Sequence, residues 1–388
     1  MNPQLLELSR AQLSLSWKRS RFNHYSDLRK QRFHDNLNSL YDKLIKLDFS
    51  DPSLNDDTIQ FYRKVLDFFI ESLTLLDNNT ISSVPHEIIE CLNIAARQWL
   101  TDFDDYIIVM QDGPYAIVSQ VEEKRVFYGL IKNKLGVDFK NILLKVCMPK
   151  QLSRDYLTNV CLFHELGHFV DEKLKITDDA YEKQMFNKWN GPKRNEVNNW
   201  FKCNKDPYVV LPTPVGVQIE ADLQSFFYLK EYFADLFCSQ YVAENSLSYL
   251  EYITENPDKD MAKHPSYDKR KRMCDDFIKG NNTNPVLESL CESTKLLSKD
   301  ELSVKYCVVD ESDMLSFIPC EITDENQLLS IFKLGWDVFK GGSEPFEKKN
   351  NLSFPLKTDK IYECVNNLIE KTISNYLILR DWNSIKHS

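Results

Sequence analysis

The sequence predicts an α+β protein, mainly helical, with one small sheet between helical regions. Two observations carry that class. Apolar residues recur at three- and four-residue steps through most of the chain, as at Leu37, Leu40, Leu44 and Leu47, which is the stripe of an amphipathic helix. Short β-branched and aromatic runs, by contrast, are confined mainly to residues 105–147.

Taken in order, residues 4–100 read as helical. Phe61, Val65, Leu66, Phe69 and Leu73 line one side of a helix over 58–76, and Pro85 suits the start of another over 86–100. Arg19, Arg21, Arg29, Lys30 and Arg32 make a basic stretch, but Asp27 and Asp35 interleave it as on a solvated face. Strands are expected at Tyr106–Met110, Tyr115–Ser119 and Val126–Tyr128, with Asp112-Gly113-Pro114 as a turn. Another follows at Ile142–Cys147, stopped by Pro149. A helix is expected from Asp155 to Lys173, a loop over 187–207, a short strand at Val209–Leu211 and a long helix over 216–252. Lys263-His264-Pro265 opens a basic helix to 279, and Lys279–Pro285 is the clearest linker signal. Helical patterns at 286–298, 325–340 and 358–376, with a strand at 304–309, complete the chain. The expected division is an N-terminal helical region (1–103), a core (104–280) and a mostly helical C-terminal region (281–388).

Composition bounds the function. Hydrophobic content of 43% and aromatic content of 12% over 388 residues exclude a largely disordered chain. A formal charge of -10 argues against nucleic acid as the main partner. The start, Met1-Asn2-Pro3-Gln4-Leu5-Leu6-Glu7, lacks the pattern of a signal peptide, and no run reaches the roughly 18 apolar residues of a membrane span. Ten cysteines form no CxxC pair and read as buried thiols of a reducing compartment, so the expected location is cytoplasmic with no membrane span.

The chemistry concentrates at His164-Glu165-Leu166-Gly167-His168. Residues four apart stack on one side of a helix, so both imidazoles face one point with Glu165 beside them, the arrangement of a zinc hydrolase. Apart from Glu165, the flanks are uncharged from Leu157 to Val170, as expected of a helix inside a domain. Three ionisable groups there call for a cation, because unpaired burial of such groups is costly. We therefore expect one Zn2+ per chain, with His164 and His168 as two of three protein ligands. A histidine six residues after His168 would extend the motif, but that position is Leu174. Glu231 and Asp235, one helical turn apart in apolar surroundings, offer a ligand and an acceptor for a ligand histidine's second nitrogen. Glu220 is the rival third ligand.

Glu231-x-x-Ala234-Asp235 downstream of His164-Glu165-x-x-His168 resembles the gluzincin metallopeptidases, especially the Ste24/HtpX-like family. His264-Pro265 followed, after four residues, by Arg270 matches a third element of that family in order and spacing. The resemblance spans about residues 155–275. It implies a zincin-like metallopeptidase core, Glu231 as third zinc ligand and Asp235 behind the ligands. Glu165 would then take the proton of the attacking water. His264, Tyr267 and Arg270 are candidates for stabilising the oxyanion, although Arg270 could equally bind a carboxylate that holds the cleft together. The expected substrate is a protein or peptide, paired with the sheet edge at Ile142–Cys147. The insertion at 169–230 carries Tyr181, Phe186, Trp189, Lys193, Arg194 and Trp200, which suit either a grip on an extended, partly acidic polypeptide or a solvated loop. The expected function is that of a selective intracellular endopeptidase. The alternatives are a non-catalytic zinc-containing protein-binding module and a stress or defence effector protease with regulatory helical flanks that engage a protein partner.

Overall fold

A computed structural model describes residues 3–386 apart from 26, 50, 52–53, 80–84, 114–116, 120–122, 186–193, 202–213, 254–256, 262 and 282. Within helices and strands, the side chains of 3–4, 117–119, 123–124, 183–185, 194–195, 198, 214–223 and 252–253 also lie outside the description. The protein is mainly helical with one small sheet. It divides into two compact units, Met1–His86 with Asp102–Lys150, and Glu87–Thr101 with Gln151–Ser388. These units cut across the boundaries expected at 103 and 280.

The first unit opens with α1 (Pro3–Ser20), α2 (Leu28–Leu44) and α3 (Asp56–Asp77). Their apolar stripes meet around fully buried Trp17, whose ring stacks on Tyr41 and takes the edge of Phe69. Asn55 caps α3 by accepting the Thr58 N–H at 2.9 Å, and Asp27 caps α2 through Arg29 N–H at 2.8 Å. The sheet contains β1 (Tyr106–Asp112), β2 (Ile117–Ser119) and β3 (Ile142–Met148) in the order β1-β3-β2. Strand β3 runs parallel to β1, with Tyr106 opposite Ile142, and antiparallel to β2, with Val118 opposite Val146. Asn79 ties the end of α3 to β1: its amide donates to Met110 O at 2.8 Å and its Oδ1 accepts Met110 N–H at 2.7 Å.

Two expectations change here. Strand β3 is central rather than an edge, so Ile142–Cys147 is not the free edge expected to receive a substrate strand. Val126–Tyr128 is helical, part of a helix at Glu123–Leu135 in which Tyr128, Ile131 and Leu135 form the buried stripe. Three- and four-residue spacing outweighed the β-branched and aromatic composition.

The second unit is built on helix–helix packing, with His86–Trp99 contributing buried Ile88, Leu92 and Trp99. We call the motif-bearing Cys161–Leu174 the H helix, Pro214–Val242 the E helix and Tyr267–Ile278 the R helix. The H and E helices pack along most of the former's length, and Trp99 meets Phe233 and Phe237 on the E helix edge-on or tilted. Of the C-terminal helices, Glu325–Gly341 packs on the E helix and Thr358–Lys386 packs on Glu325–Gly341. Trp336 donates from its indole to Leu157 O at 3.0 Å, and Asn366 accepts the Leu157 N–H at 3.1 Å, fixing the turn that leads into the H helix. The expected C-terminal region thus shares a compact unit with the motif.

The long helix expected over 216–252 breaks after Val242, where Ala243 adopts a left-handed φ of 52°. Residues 304–309 form no strand: Lys305 and Tyr306 donate their N–H groups to Gln240 O, and Cys307 N–H goes to Ser330 Oγ. The short strand expected at Val209–Leu211 lies outside the described residues. Among the described residues no helix is long and apolar enough to cross a membrane. The nine described cysteines are unpaired thiols; Cys203 lies outside the description.

Candidate metal centre

The H helix buries Leu162, Phe163, Leu166, Phe169 and Val170, leaving His164, Glu165 and His168 on its partly open side. It ends by a left-handed residue, Lys175 at φ 58°, whose N–H returns to Asp171 O. Asp171 then accepts the N–H and hydroxyl of Thr177 at 2.8 and 2.6 Å, starting the next short helix. Gly167 sets how closely the E helix approaches. A Cβ there would lie 2.9 Å from Ala234 Cα and 3.0 Å from Phe237 Cβ, inside normal contact distance. The glycine therefore lets the two backbones meet next to His168 and one turn from His164.

That approach brings Glu231 to the histidines. His164 Nε2 and His168 Nε2 lie 3.1 Å apart, and the Glu231 carboxylate is 3.6 Å from the former and 3.4 Å from the latter. One donor atom from each of the three residues lies within 4.8 Å of the others. Two imidazoles and a carboxylate form a donor set suited to a divalent ion, and three protein ligands leave a fourth position available. Nitrogens this close without a cation between them would need a particular pairing of tautomers, whereas an ion satisfies both lone pairs. The residues present fit a zinc-binding, zincin-type site.

Charge behind the ligands is organised by Asp235 and Arg270. Asp235, fully buried one turn beyond Glu231, accepts from Arg270 Nε at 2.8 Å and from a terminal Arg270 nitrogen at 2.7 Å. Its Oδ1 also lies 2.9 Å from His164 Nδ1, a close but poorly aligned approach. Burial by itself would raise the Asp235 pKa, but the Arg270 charge and hydrogen bonds hold it below the ordinary range. Arg270 reaches Glu231 too, at 3.4 Å. Burial likewise works against Glu231 ionisation, and contacts from His168 and His264 together with Arg270 reverse it, keeping this carboxylate anionic. Burial also pushes the neighbouring thiols Cys161 and Cys274 up to about 12, leaving them neutral.

The remaining candidates fall in different places. Glu165 is half-buried on the histidine face, and its charge acts on His168. His264 is exposed, with Nδ1 3.3 Å from Glu231 Oε1. It sits in the turn before the R helix, which begins at Tyr267 rather than at the His264-Pro265 pair. Tyr267 is hydrogen-bonded to Glu251, which with burial raises its pKa, so its hydroxyl already has a partner outside the cluster. Arg270 is committed to Asp235 and Glu231. The Glu220 side chain, the rival ligand, lies outside the described residues, as do Phe186, Trp189, Lys193 and the Arg194 side chain. Trp200 is buried against Tyr232, whose hydroxyl donates to Trp200 O at 2.9 Å, and Tyr181 packs edge-on to Phe226. These two aromatic residues are packing groups, not parts of a solvated loop.

Two residues that shape the site carry no motif. Asp260, almost fully buried, accepts Ser266 N–H at 2.8 Å and Lys269 Nζ at 2.6 Å. Tyr228 donates to Met261 O at 2.6 Å. Together they pin the turn carrying His264 to the E and R helices. A sequence signal was present in the spacing of Tyr228, one turn before Glu231, but nothing local marks Asp260.

Comparison of the chain with protein-family models, curated proteins and solved structures finds no match.

Proposed function

We propose that the protein is a zinc-dependent peptidase of the gluzincin type, distantly resembling the Ste24/HtpX-like family, that cleaves internal bonds of a narrow set of polypeptides. The observation that carries this reading is the convergence of His164, His168 and Glu231, with Glu165 next to the first ligand on the same helix. His164, His168 and Glu231 would hold zinc, which would supply a water of lowered pKa and Lewis acidity toward a carbonyl. Glu165 accepts the proton of the attacking water and delivers it to the departing amine. Asp235 holds the His164 ring by its Nδ1 side, and Arg270 keeps Asp235 anionic and in place. His264, at the open rim, is the candidate donor to the developing oxyanion. Tyr267 and Arg270, already partnered, are better suited to positioning. The helical elements of the first unit and of the C-terminus are the candidate surfaces for a regulatory protein partner.

The test compares wild type with Glu165→Gln on an unfolded protein substrate, with zinc measured in both. Glutamine keeps the size of Glu165 but cannot take the water proton, so cleavage should vanish while zinc stays. Wild-type-level cleavage by the variant, in a preparation free of contaminating protease, would refute the role. Capture of cellular proteins by the same variant, followed by mapping of cleaved sites, then separates endopeptidase action from removal of terminal residues.

A further inference from the structure

The rim beside Glu231 combines an aromatic face with a cation that has no carboxylate partner among the described residues. Phe227 lies on the E helix four residues before Glu231, about 6 Å along the axis and on the same side. It is half-buried. Lys263, next in sequence to His264, places Nζ 5.3 Å from the centre of the Phe227 ring. Lys263 is exposed and, among the described residues, has no carboxylate within ion-pair distance. Met261 on the same turn is 56% exposed despite its apolar side chain. The turn is held by the Asp260 and Tyr228 contacts, so this lysine projects from a fixed rim rather than a loose loop. In a chain with formal charge -10, a lysine seated on an aromatic ring beside the histidine–glutamate cluster, with no carboxylate partner among the described residues, offers positive charge to an incoming anion.

We infer that Phe227 and Lys263 form a substrate subsite that takes a carboxylate close to the bond being cut. The apolar stem of the substrate residue lies against Phe227 and Met261, and its carboxylate pairs with Lys263 Nζ. This rests on the peptidase reading of the metal centre and adds the substrate's chemistry to it. A carboxylate can come from an acidic side chain or from a free C-terminus. Both share the same recognition, and peptide design separates them.

The experiment uses the full zinc-loaded chain and short peptides identical except for Glu, Gln or Lys at each position flanking the cleaved bond, each made with a free or an amidated C-terminus. Two readouts run in parallel: kcat and KM for wild type, and Kd for the non-cleaving Glu165→Gln protein. We expect a carboxylate to be favoured over its amide, at one flanking position or at the C-terminus, by about 5- to 10-fold, mainly in KM and Kd, with the advantage shrinking as salt rises. Lys263→Glu should reverse the preference toward Lys, and Lys263→Arg should keep it. A Glu preference that persists on amidation assigns the carboxylate to the side chain; equal binding of Glu and Gln peptides, weakened about 5- to 10-fold by amidation, assigns it to the C-terminus. Binding that distinguishes neither Glu from Gln nor a free from an amidated C-terminus, or a carboxylate preference unchanged in Lys263→Glu, overturns the subsite. If wild type cuts no peptide, the peptidase reading falls by itself, and the Kd arm still decides whether Lys263 selects a carboxylate.

Discussion

Gly167→Ala tests the packing that assembles the centre. The added Cβ would stand 2.9 Å from Ala234 Cα, 3.0 Å from Phe237 Cβ and 3.3 Å from Ala234 O. Carbon pairs prefer about 3.5–4.0 Å, so the two helices must part by about 0.6–1 Å. Two of these three atoms are backbone and cannot rotate aside. Overpacking of this kind costs about 1–3 kcal/mol, against about 1 kcal/mol gained from alanine's better helix propensity. A net loss of up to about 2 kcal/mol is expected in urea unfolding of the metal-free protein. Ligand distances tolerate only about 0.2 Å, so zinc affinity in a competition titration should fall at least about 10-fold. Gly129 is the internal control: it is helical, a Cβ there meets nothing within 4 Å, and Gly129→Ala should raise stability by up to about 1 kcal/mol. A Gly167→Ala protein that gains stability like the control and binds zinc normally would refute the reasoning.

Asp235→Asn removes the carboxylate that holds the buried Arg270 by two hydrogen bonds and leaves it only Glu231 at 3.4 Å; we expect a loss of about 3 kcal/mol in stability and a roughly 10- to 100-fold loss of zinc affinity, and calorimetry showing neither would contradict the arrangement. Asn79→Ala leaves the Met110 N–H and carbonyl without their partner, and the urea midpoint should drop by the equivalent of about 2–4 kcal/mol at unchanged slope. His34, buried between Trp17 and Tyr25, has a pKa lowered by burial despite Ser20 O at 3.1 Å. The unfolded chain therefore takes up this proton first as pH falls below about 6.5, and stability declines from there toward the folded-state pKa. His34→Phe should flatten that part of the wild-type stability–pH profile, whereas superimposable profiles would show that His34 is not responsible.

What the sequence made legible was local. The spacing of His164 and His168 survives in any helix, and Glu231 and Asp235 could be paired with them because one turn separates two acids in an apolar run. Arg270 was legible only as an alternative, since its bond to Asp235 joins helices 35 residues apart in sequence. Gly167 was visible inside the motif, but its role depends on which helix packs over it. The Val126–Tyr128 run misleads because aromatic composition is read over three residues, whereas the Tyr128, Ile131 and Leu135 stripe needs a longer window. The run at 304–309 is rich in β-branched and aromatic residues, yet its backbone partners are Gln240 and Ser330, which only tertiary structure supplies. Strand order is likewise invisible locally, so nothing in Ile142–Cys147 itself showed that it would lie between two neighbours.

The most direct test of the central claim is the zinc content of purified protein by elemental analysis, measured for wild type, Glu231→Gln and Glu220→Gln after equal exposure to zinc and dialysis. The account predicts about one zinc per chain in wild type and in Glu220→Gln, and a loss of most of it in Glu231→Gln, because His164 and His168 alone leave the ion with two protein ligands. Wild type that retains no zinc, or full zinc in Glu231→Gln with loss in Glu220→Gln, would contradict it.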